Sequence, residues 1–236
     1  MYSSIDEVCN EIVQKQCPVI FIDTCSILDI VNSLHMSSLP EKYAIFALEL
    51  SKLHGNKVWL VASENVAEEL TDNIDTVITT MEKELVKADR NISAILLVIN
   101  ALLGASYSFP QKISSLNIAT HMRSLSEGFL RKCLLLKRTD AHTLLAMQRV
   151  RKNEAPAKKG KPEPKDCEIV ECFLEMCSQL RGIGFNERLV FFTANKQDFG
   201  KSGEIRSPLD VQFSQINAEL SNNIEHVLAI VNGQAK

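Results

Sequence analysis

Three short segments of continuous apolar residues constrain the fold of this chain more than any other feature. They occupy residues 18–23, 57–62 and 188–193, and they are rich in Val, Ile, Phe and Trp. None of them alternates apolar with polar residues, so each predicts a strand that is buried on both faces. Buried strands of this kind form parallel sheets that are covered by helices on both sides.

Long segments with the periodicity of amphipathic helices lie between the predicted strands. They cover residues 41–54, 65 to about 103, 117–136 and 166–180. This alternation predicts an α/β fold with a central, mostly parallel sheet and additional helices. Gly104 and the run SYSFP interrupt the region after the second strand, which indicates several packed helices there.

The chain is expected to form one main domain with a helical elaboration. Residues 1–206 should form this domain, with a helical insertion at about 65–148. Residues 149–165, which we call the basic segment, mix Pro, Gly, Ala and charge and predict an exposed, mobile loop. Residues 207–236 predict a C-terminal helical region that packs on the same domain or on a second subunit. Its apolar stripe is Leu220, Ile224, Val227, Leu228 and Val231.

Four acidic residues fall where the carboxyl ends of the predicted strands would meet. Asp23 ends the first strand and Asp198 follows the third, while Glu69 and Asp166 lie on helices that begin near the same edge. Ligands of open α/β sheets collect at this edge. Carboxylates this close raise each other's pKa, and a divalent cation removes the conflict. Because the ligands are all oxygens, the sequence predicts Mg²⁺ or Mn²⁺ rather than zinc.

The same residues resemble those of a known family. The runs FIDTCSILD, VAEEL, KDCEIVE and FFTANKQDF are similar to the four motifs of PIN-domain nucleases, in the same order along the chain. The resemblance extends from residue 18 to about residue 200, and the long insert before Asp166 is closer to the larger bacterial members. It implies a PIN-like three-layer sandwich. It also implies an endoribonuclease that hydrolyses single-stranded or structured RNA with Mg²⁺ or Mn²⁺, in a role such as a toxin or a defence effector.

The resemblance also implies a role for each acidic residue. It assigns metal ligation to Asp23, Asp166 and Asp198, and it makes Glu69 a ligand or a base that orients water. These four would be the catalytic residues.

Two further positions would give polar support, and two more stay open. The resemblance makes Thr24 and Asn195 the supporting residues. Glu68 could take the place of Glu69, although helical spacing favours Glu69 because Glu68 then turns outward. Glu171, about one helical turn beyond Asp166, could share in the site.

Positive charge is concentrated in the basic segment, although the formal net charge of the chain is −3. The segment contains Arg149, Arg151, Lys152, Lys158, Lys159, Lys161 and Lys165, against two glutamates. These side chains could bind the phosphate backbone of a nucleic acid beside the metal site. They could equally form a solvated surface, which is the usual role of a charge run.

Partners and location follow from fewer signals. The seven cysteines include no CxxC pair and predict free thiols in a reducing cytoplasm. No apolar run approaches the roughly 20 residues that cross a bilayer, so no membrane contact is expected. The expected partner is RNA, with DNA as an alternative, and the resemblance implies a regulatory protein partner or a homo-oligomer. The rival function is a non-catalytic PIN-fold scaffold that binds nucleic acid or assembles with other proteins.

Overall fold

The computed structural model describes residues 1–234, which contain seven strands and ten α-helices. The strands are β1 (Val19–Ile22), β2 (Trp59–Ser63), β3 (Leu134–Leu136), β4 (Leu189–Phe192), β5 (Gly200–Lys201), β6 (Glu204–Ile205) and β7 (Ala218–Ser221). The helices are α1 (Ile5–Ile12), α2 (Thr24–Asn32), α3 (Tyr43–Leu53), α4 (Glu64–Leu103), α5 (Ile118–Lys132), α6 (Asp140–Lys152), α7 (Pro164–Gly182), α8 (Lys196–Phe199), α9 (Leu209–Gln215) and α10 (Ile224–Val231).

Five strands form one parallel sheet in the order β3-β2-β1-β4-β7. From β1 the chain moves outward on one side through β2 and β3, and it then crosses to the other side for β4 and β7. The direction of winding therefore reverses between β1 and β4. In open parallel sheets the crevice at this reversal, beyond the carboxyl ends of the strands, is where ligands bind.

The central strands have the burial that their apolar composition predicts. Every residue of β1, β2 and β4 is buried. Phe21 and Phe191 lie opposite each other in β1 and β4, and both contact Phe173 of α7, with ring centroids 5.5 and 5.2 Å apart. Helices α1 and α6 pack on α7, while α3, α4 and α5 pack on α2. The predicted α/β sandwich with a parallel central sheet is confirmed.

Two edge strands lie in regions that the sequence predicts to be helical. Residues 117–136 are helical only to Lys132 and then form β3, and the C-terminal region contains β7 between α9 and α10. Leu220 therefore lies in β7 rather than on a helix. Both strands are short and only partly buried, so they lack the long apolar run that marks the central strands. Helix α10 still packs into the main core, while residues 235–236 lie outside the described part.

Helix α4 is the longest element, with 40 residues. Its first half is amphipathic and buries a stripe of apolar side chains against the core, ending at Leu85. Its last part, residues 91–103, is apolar on most faces but exposed; we call it the α4 tip. Gly104 ends the helix in the left-handed conformation, with φ 60°. Within residues 1–234, none of the helices combines the length and hydropathy that crossing a membrane requires.

The basic segment is partly buried and not the fully exposed loop that its composition predicts. Its first residues are the last turn of α6, and its last two begin α7. Between them Ala155 and Ala157 are buried, because Ala157 packs between α6 and α7. Residues 158–161, which we call the lysine turn, are closed by reciprocal backbone hydrogen bonds of 3.0 and 2.9 Å between Lys158 and Lys161.

Candidate active site

Asp23 lies at the junction of β1 and α2, where it is the N-cap of the helix. Its Oδ1 accepts a hydrogen bond from the Thr24 N–H at 2.8 Å. Its Oδ2 accepts hydrogen bonds from the Thr193 hydroxyl at 2.6 Å and from the Cys25 thiol at 2.9 Å. Burial raises the pKa of Asp23, and these hydrogen bonds oppose that rise only in part.

Glu69 faces Asp23 from the beginning of α4, and Thr24 connects the two. The Thr24 hydroxyl donates a hydrogen bond to Glu69 Oε2 at 2.6 Å. Burial raises the pKa of Glu69, the bond from Thr24 lowers it and the charge of Asp23 raises it further. Glu68 is exposed and faces Arg138 instead, with Nη1 and Oε2 3.6 Å apart. The structure therefore places Glu69, and not Glu68, beside Asp23.

Asp166 lies in the first turn of α7, where Asn195 links it to Asp198. The Asn195 side-chain amide donates to Asp166 Oδ2 at 3.2 Å and to Asp198 Oδ2 at 3.0 Å. Burial is the largest cause that raises the pKa of Asp166 to about 8, and the negative charges of Asp23, Glu69, Glu163 and Asp198 add to it. At neutral pH this carboxyl is therefore mostly protonated when no metal is bound.

Asp198 is fully buried at the beginning of α8 and is surrounded by donors. Lys158 Nζ donates to Oδ1 at 3.0 Å, and Lys161 Nζ donates to Oδ2. Burial raises the pKa of Asp198, but the hydrogen bonds from Lys161, Lys158 and Asn195 outweigh burial and lower it. Asp198 is therefore ionised under conditions in which Asp166 is protonated.

Thr193 and Cys25 are site residues that the sequence analysis does not assign. Ile22 pairs with Phe192 in the sheet, so Asp23 and Thr193 are the first residues beyond the ends of neighbouring strands. A hydroxyl at this place reaches the carboxylate directly. The strand register would have found Thr193, but sequence alone does not give the register.

The basic residues occupy several different environments. Arg149 is buried, ion-pairs with Glu171 and donates to the Ala155 carbonyl at 2.9 Å and to Gln212 Oε1 at 2.8 Å. Arg149 therefore has a structural role in this conformation. Its ion pair also fixes the side chain of Glu171. Lys165 reaches Asp72 at 3.4 Å. Arg151, Lys152, Lys159 and Lys165 have exposed side chains.

The four residues Asp23, Glu69, Asp166 and Asp198, which we call the carboxylate cluster, fit a divalent cation by their chemistry. They supply only oxygen donors, and the raised pKa of Asp166 reflects burial together with negative charges that a cation would offset. Their present geometry is less complete. In residues 1–234 no three acidic, His or Cys side chains are arranged as a ready-made metal site. The ammonium groups of Lys158 and Lys161 already bind both oxygens of Asp198.

A neighbouring cleft of 440 Å³ lies beyond the end of β4. Its wall includes Asp29, Tyr43, Lys196 and Asn222 but none of the carboxylate cluster. The cleft is therefore a surface beside the carboxylate cluster and not part of the site itself.

The sequence of the whole region matches a family model. The model describes a PIN domain and covers residues 20–199, well over half of the chain. The chain belongs to the PIN domain family. This match confirms the family that the four motifs predict, and with it a nuclease-like fold of a kind that generally uses divalent metals. No curated protein and no solved structure shows significant similarity to the chain.

Proposed function

We propose that this PIN domain is a metal-dependent endoribonuclease whose catalytic residues are the carboxylate cluster. The observation that carries the proposal is the convergence of these carboxylates at the point where the sheet reverses its winding. The charges of Asp23, Glu69 and Asp198 add to burial in raising the pKa of Asp166, and protons or cations offset such like charges. A site of this kind suits a nucleic-acid phosphodiester, because an oxygen-bound divalent cation assists its hydrolysis.

Mg²⁺ or Mn²⁺ would be held by Asp23, Glu69 and Asp166, with Asp198 as a further ligand. When bound, such a cation polarises a phosphoryl oxygen and lowers the pKa of a coordinated water. The side chains around the cluster hold its members in place. Thr193 and the helix N-terminus fix Asp23, and Thr24 orients Glu69. Asp166 would release its proton as the cation binds, since the cation offsets the neighbouring negative charges.

RNA is the proposed substrate because the family resemblance favours it, with DNA as the alternative that the assay must exclude. The exposed basic side chains beside α7 would contact the phosphate backbone, which positions the strand without reading its sequence. A toxin or defence role stays a prediction from the resemblance.

A non-catalytic PIN scaffold is the second candidate, and one observation favours it. Lys158 and Lys161 neutralise Asp198 in the way that a metal ion would. If this pairing were permanent, the cluster would lack its fourth carboxylate and the domain would serve binding alone.

Cleavage of labelled single-stranded RNA and of the same sequence in DNA tests the proposal. Each strand would be incubated with Mg²⁺, Mn²⁺ or chelator, with Asp23→Asn beside the wild type. Asp210→Asn, an exposed acid of α9, is the matched control. We expect RNA cleavage that needs metal and is lost only in Asp23→Asn. Cleavage of DNA alone would show that DNA is the substrate. Binding without cleavage would support a non-catalytic PIN scaffold.

We also propose that the α4 tip contacts a second copy of this chain. Ile95, Leu97, Val98, Leu102 and Leu103 are each more than half exposed there. Leu97, Leu102 and Leu103 are the most exposed of these, at 72%, 78% and 69%, and exposed apolar side chains grouped in this way mark interaction sites. Light scattering should show a dimer for the wild type and a monomer for Leu97→Glu with Leu102→Glu. A monomeric wild type would contradict this proposal.

A cytoplasmic location is proposed as well. All seven cysteines are free thiols, which suits a reducing compartment.

A further inference from the structure

The lysine turn binds the most buried member of the carboxylate cluster. Asp198 has 0% exposure, and each of its two carboxylate oxygens accepts a hydrogen bond from a different lysine. The lysine side chains are 28% and 39% exposed, so they approach Asp198 from the solvent side. These two ammonium groups carry the same formal charge as one divalent cation.

The turn is built to present these two side chains. Its backbone is closed by the reciprocal hydrogen bonds between Lys158 and Lys161, and it follows the buried residues Ala155 and Ala157. Arg149 fixes the entry to the turn through the Ala155 carbonyl. On the exit side, Lys161 also pairs with Glu163 at 3.0 Å. Lys159, between the two, points to solvent.

The lysines therefore compete with any metal that Asp198 would bind. Asp198 Oδ2 accepts from Lys161 and Asn195, and Oδ1 accepts from Lys158, so few acceptor sites remain for a metal. The two ammonium charges also repel a cation from Asp198, and this repulsion falls when a lysine moves away. A lysine on a long flexible stem can pair with another anion when it leaves, and the phosphate backbone of a nucleic acid supplies one.

We propose that Lys158 and Lys161 are exchangeable counter-cations of Asp198, which transfer to the substrate phosphates and thereby release Asp198 to the metal. The inference rests on the proposed function. It makes metal binding and nucleic-acid binding cooperative. A metal that binds Asp198 frees the lysines for the phosphates, and phosphates that bind the lysines free Asp198 for the metal. Linkage requires the effect to be reciprocal, and couplings of this kind usually amount to about 5- to 150-fold in affinity.

A calorimetric titration of the full chain with Mn²⁺, without substrate, tests whether the lysines compete with the metal for Asp198. Lys158→Met with Lys161→Met should bind Mn²⁺ about tenfold more tightly than the wild type, a change within the usual range of coupling. The matched control is Lys152→Met with Lys159→Met, which removes the same charge from the same segment without touching Asp198. It should change the Mn²⁺ affinity much less. Equal effects of the two double variants would reduce the result to net charge and overturn the inference.

The same lysine substitutions made in the Asp198→Asn variant distinguish the proposed competition from a folding defect. If the lysines act through Asp198, their substitution should have no effect on Mn²⁺ affinity in the Asp198→Asn variant. The cycle isolates this coupling from general effects. Lys158→Arg with Lys161→Arg keeps the charges and should stay close to the wild type in Mn²⁺ affinity. A tenfold gain in the Asp198→Asn background would contradict the assignment.

Binding of single-stranded RNA in chelator tests the transfer to phosphate. The Lys158→Met and Lys161→Met double variant should bind RNA more weakly and with a smaller salt slope. Unchanged RNA binding would overturn the transfer. Neither measurement uses cleavage, so an inactive protein that shows both effects would refute the proposed function and leave this inference standing.

Discussion

Replacing Asp166 by asparagine should stabilise the metal-free protein at neutral pH. Burial and the surrounding negative charges raise the pKa of Asp166 to about 8 in the folded state, whereas an aspartate in an unfolded chain titrates near 3.9. Between these values the folded protein holds a proton that the unfolded chain has released. Stability therefore falls as the pH rises from about 4 to about 8, and the asparagine of the variant, which cannot ionise, removes this decline.

The size of the effect follows from the two pKa values. At about 1.4 kcal/mol per pH unit, the loss of stability reaches at most about 4 kcal/mol by pH 7. Asp23 and Glu69 interact with Asp166 through their charges, so the three carboxyl groups share the cost of holding negative charge, and removing one of them recovers only part of it. We expect the free energy of unfolding of the Asp166→Asn variant to exceed that of the wild type by about 2 kcal/mol at pH 7. Near pH 4 to 5 the two values should be equal.

Urea unfolding in chelator at a series of pH values measures this difference. Trp59, the single tryptophan, is buried and donates to the Lys15 carbonyl at 3.0 Å, so its fluorescence reports unfolding. Asp140→Asn changes an exposed acid in the first turn of α6 and is the control. Identical pH profiles for wild type and Asp166→Asn would refute the reasoning. Added Mg²⁺ should stabilise the wild type more than the variant, since the ligand binds the folded state.

Three further substitutions test other parts of the structure. Thr193→Val should lose about 1–3 kcal/mol in urea unfolding because it leaves buried polar partners unsatisfied, and a neutral result would show that Asp23 does not depend on it. Arg149→Met should destabilise the folded protein by about 3–5 kcal/mol in the same assay, because it leaves the Glu171 carboxylate without its ion-pair partner. Weaker RNA binding at unchanged stability would instead show that Arg149 binds nucleic acid. Glu69→Gln should abolish RNA cleavage and Glu68→Gln should not, so the reverse pattern would exchange their roles.

The central strands and the proximity of the acids were accessible from sequence for physical reasons. Strands buried on both faces need continuous apolar residues, and β1, β2 and β4 have them. Parallel strands bring their carboxyl ends to one edge, which is why Asp23 and Asp198 could be expected to lie close together. The edge strands β3 and β7 lack the long apolar run, so their residues resembled parts of helices.

The environment of the basic residues could not be derived from charge alone. Arg149 and Lys159 look alike in sequence, yet one is buried and the other exposed. Arg149 contacts Glu171, the Ala155 carbonyl and Gln212, which are brought together only by tertiary structure. The pairing of Lys158 and Lys161 with Asp198 is also a tertiary contact, because Asp198 lies 40 and 37 residues further along the chain.

Mn²⁺ binding and RNA cleavage, measured on the same preparations of wild type, Asp23→Asn and Asp166→Asn, test the central claim most directly. If the carboxylate cluster is one metal-binding catalytic site, both variants should remain folded and should lose Mn²⁺ affinity and RNA cleavage together. Full cleavage by either variant, or cleavage by the wild type in chelator, would contradict the claim.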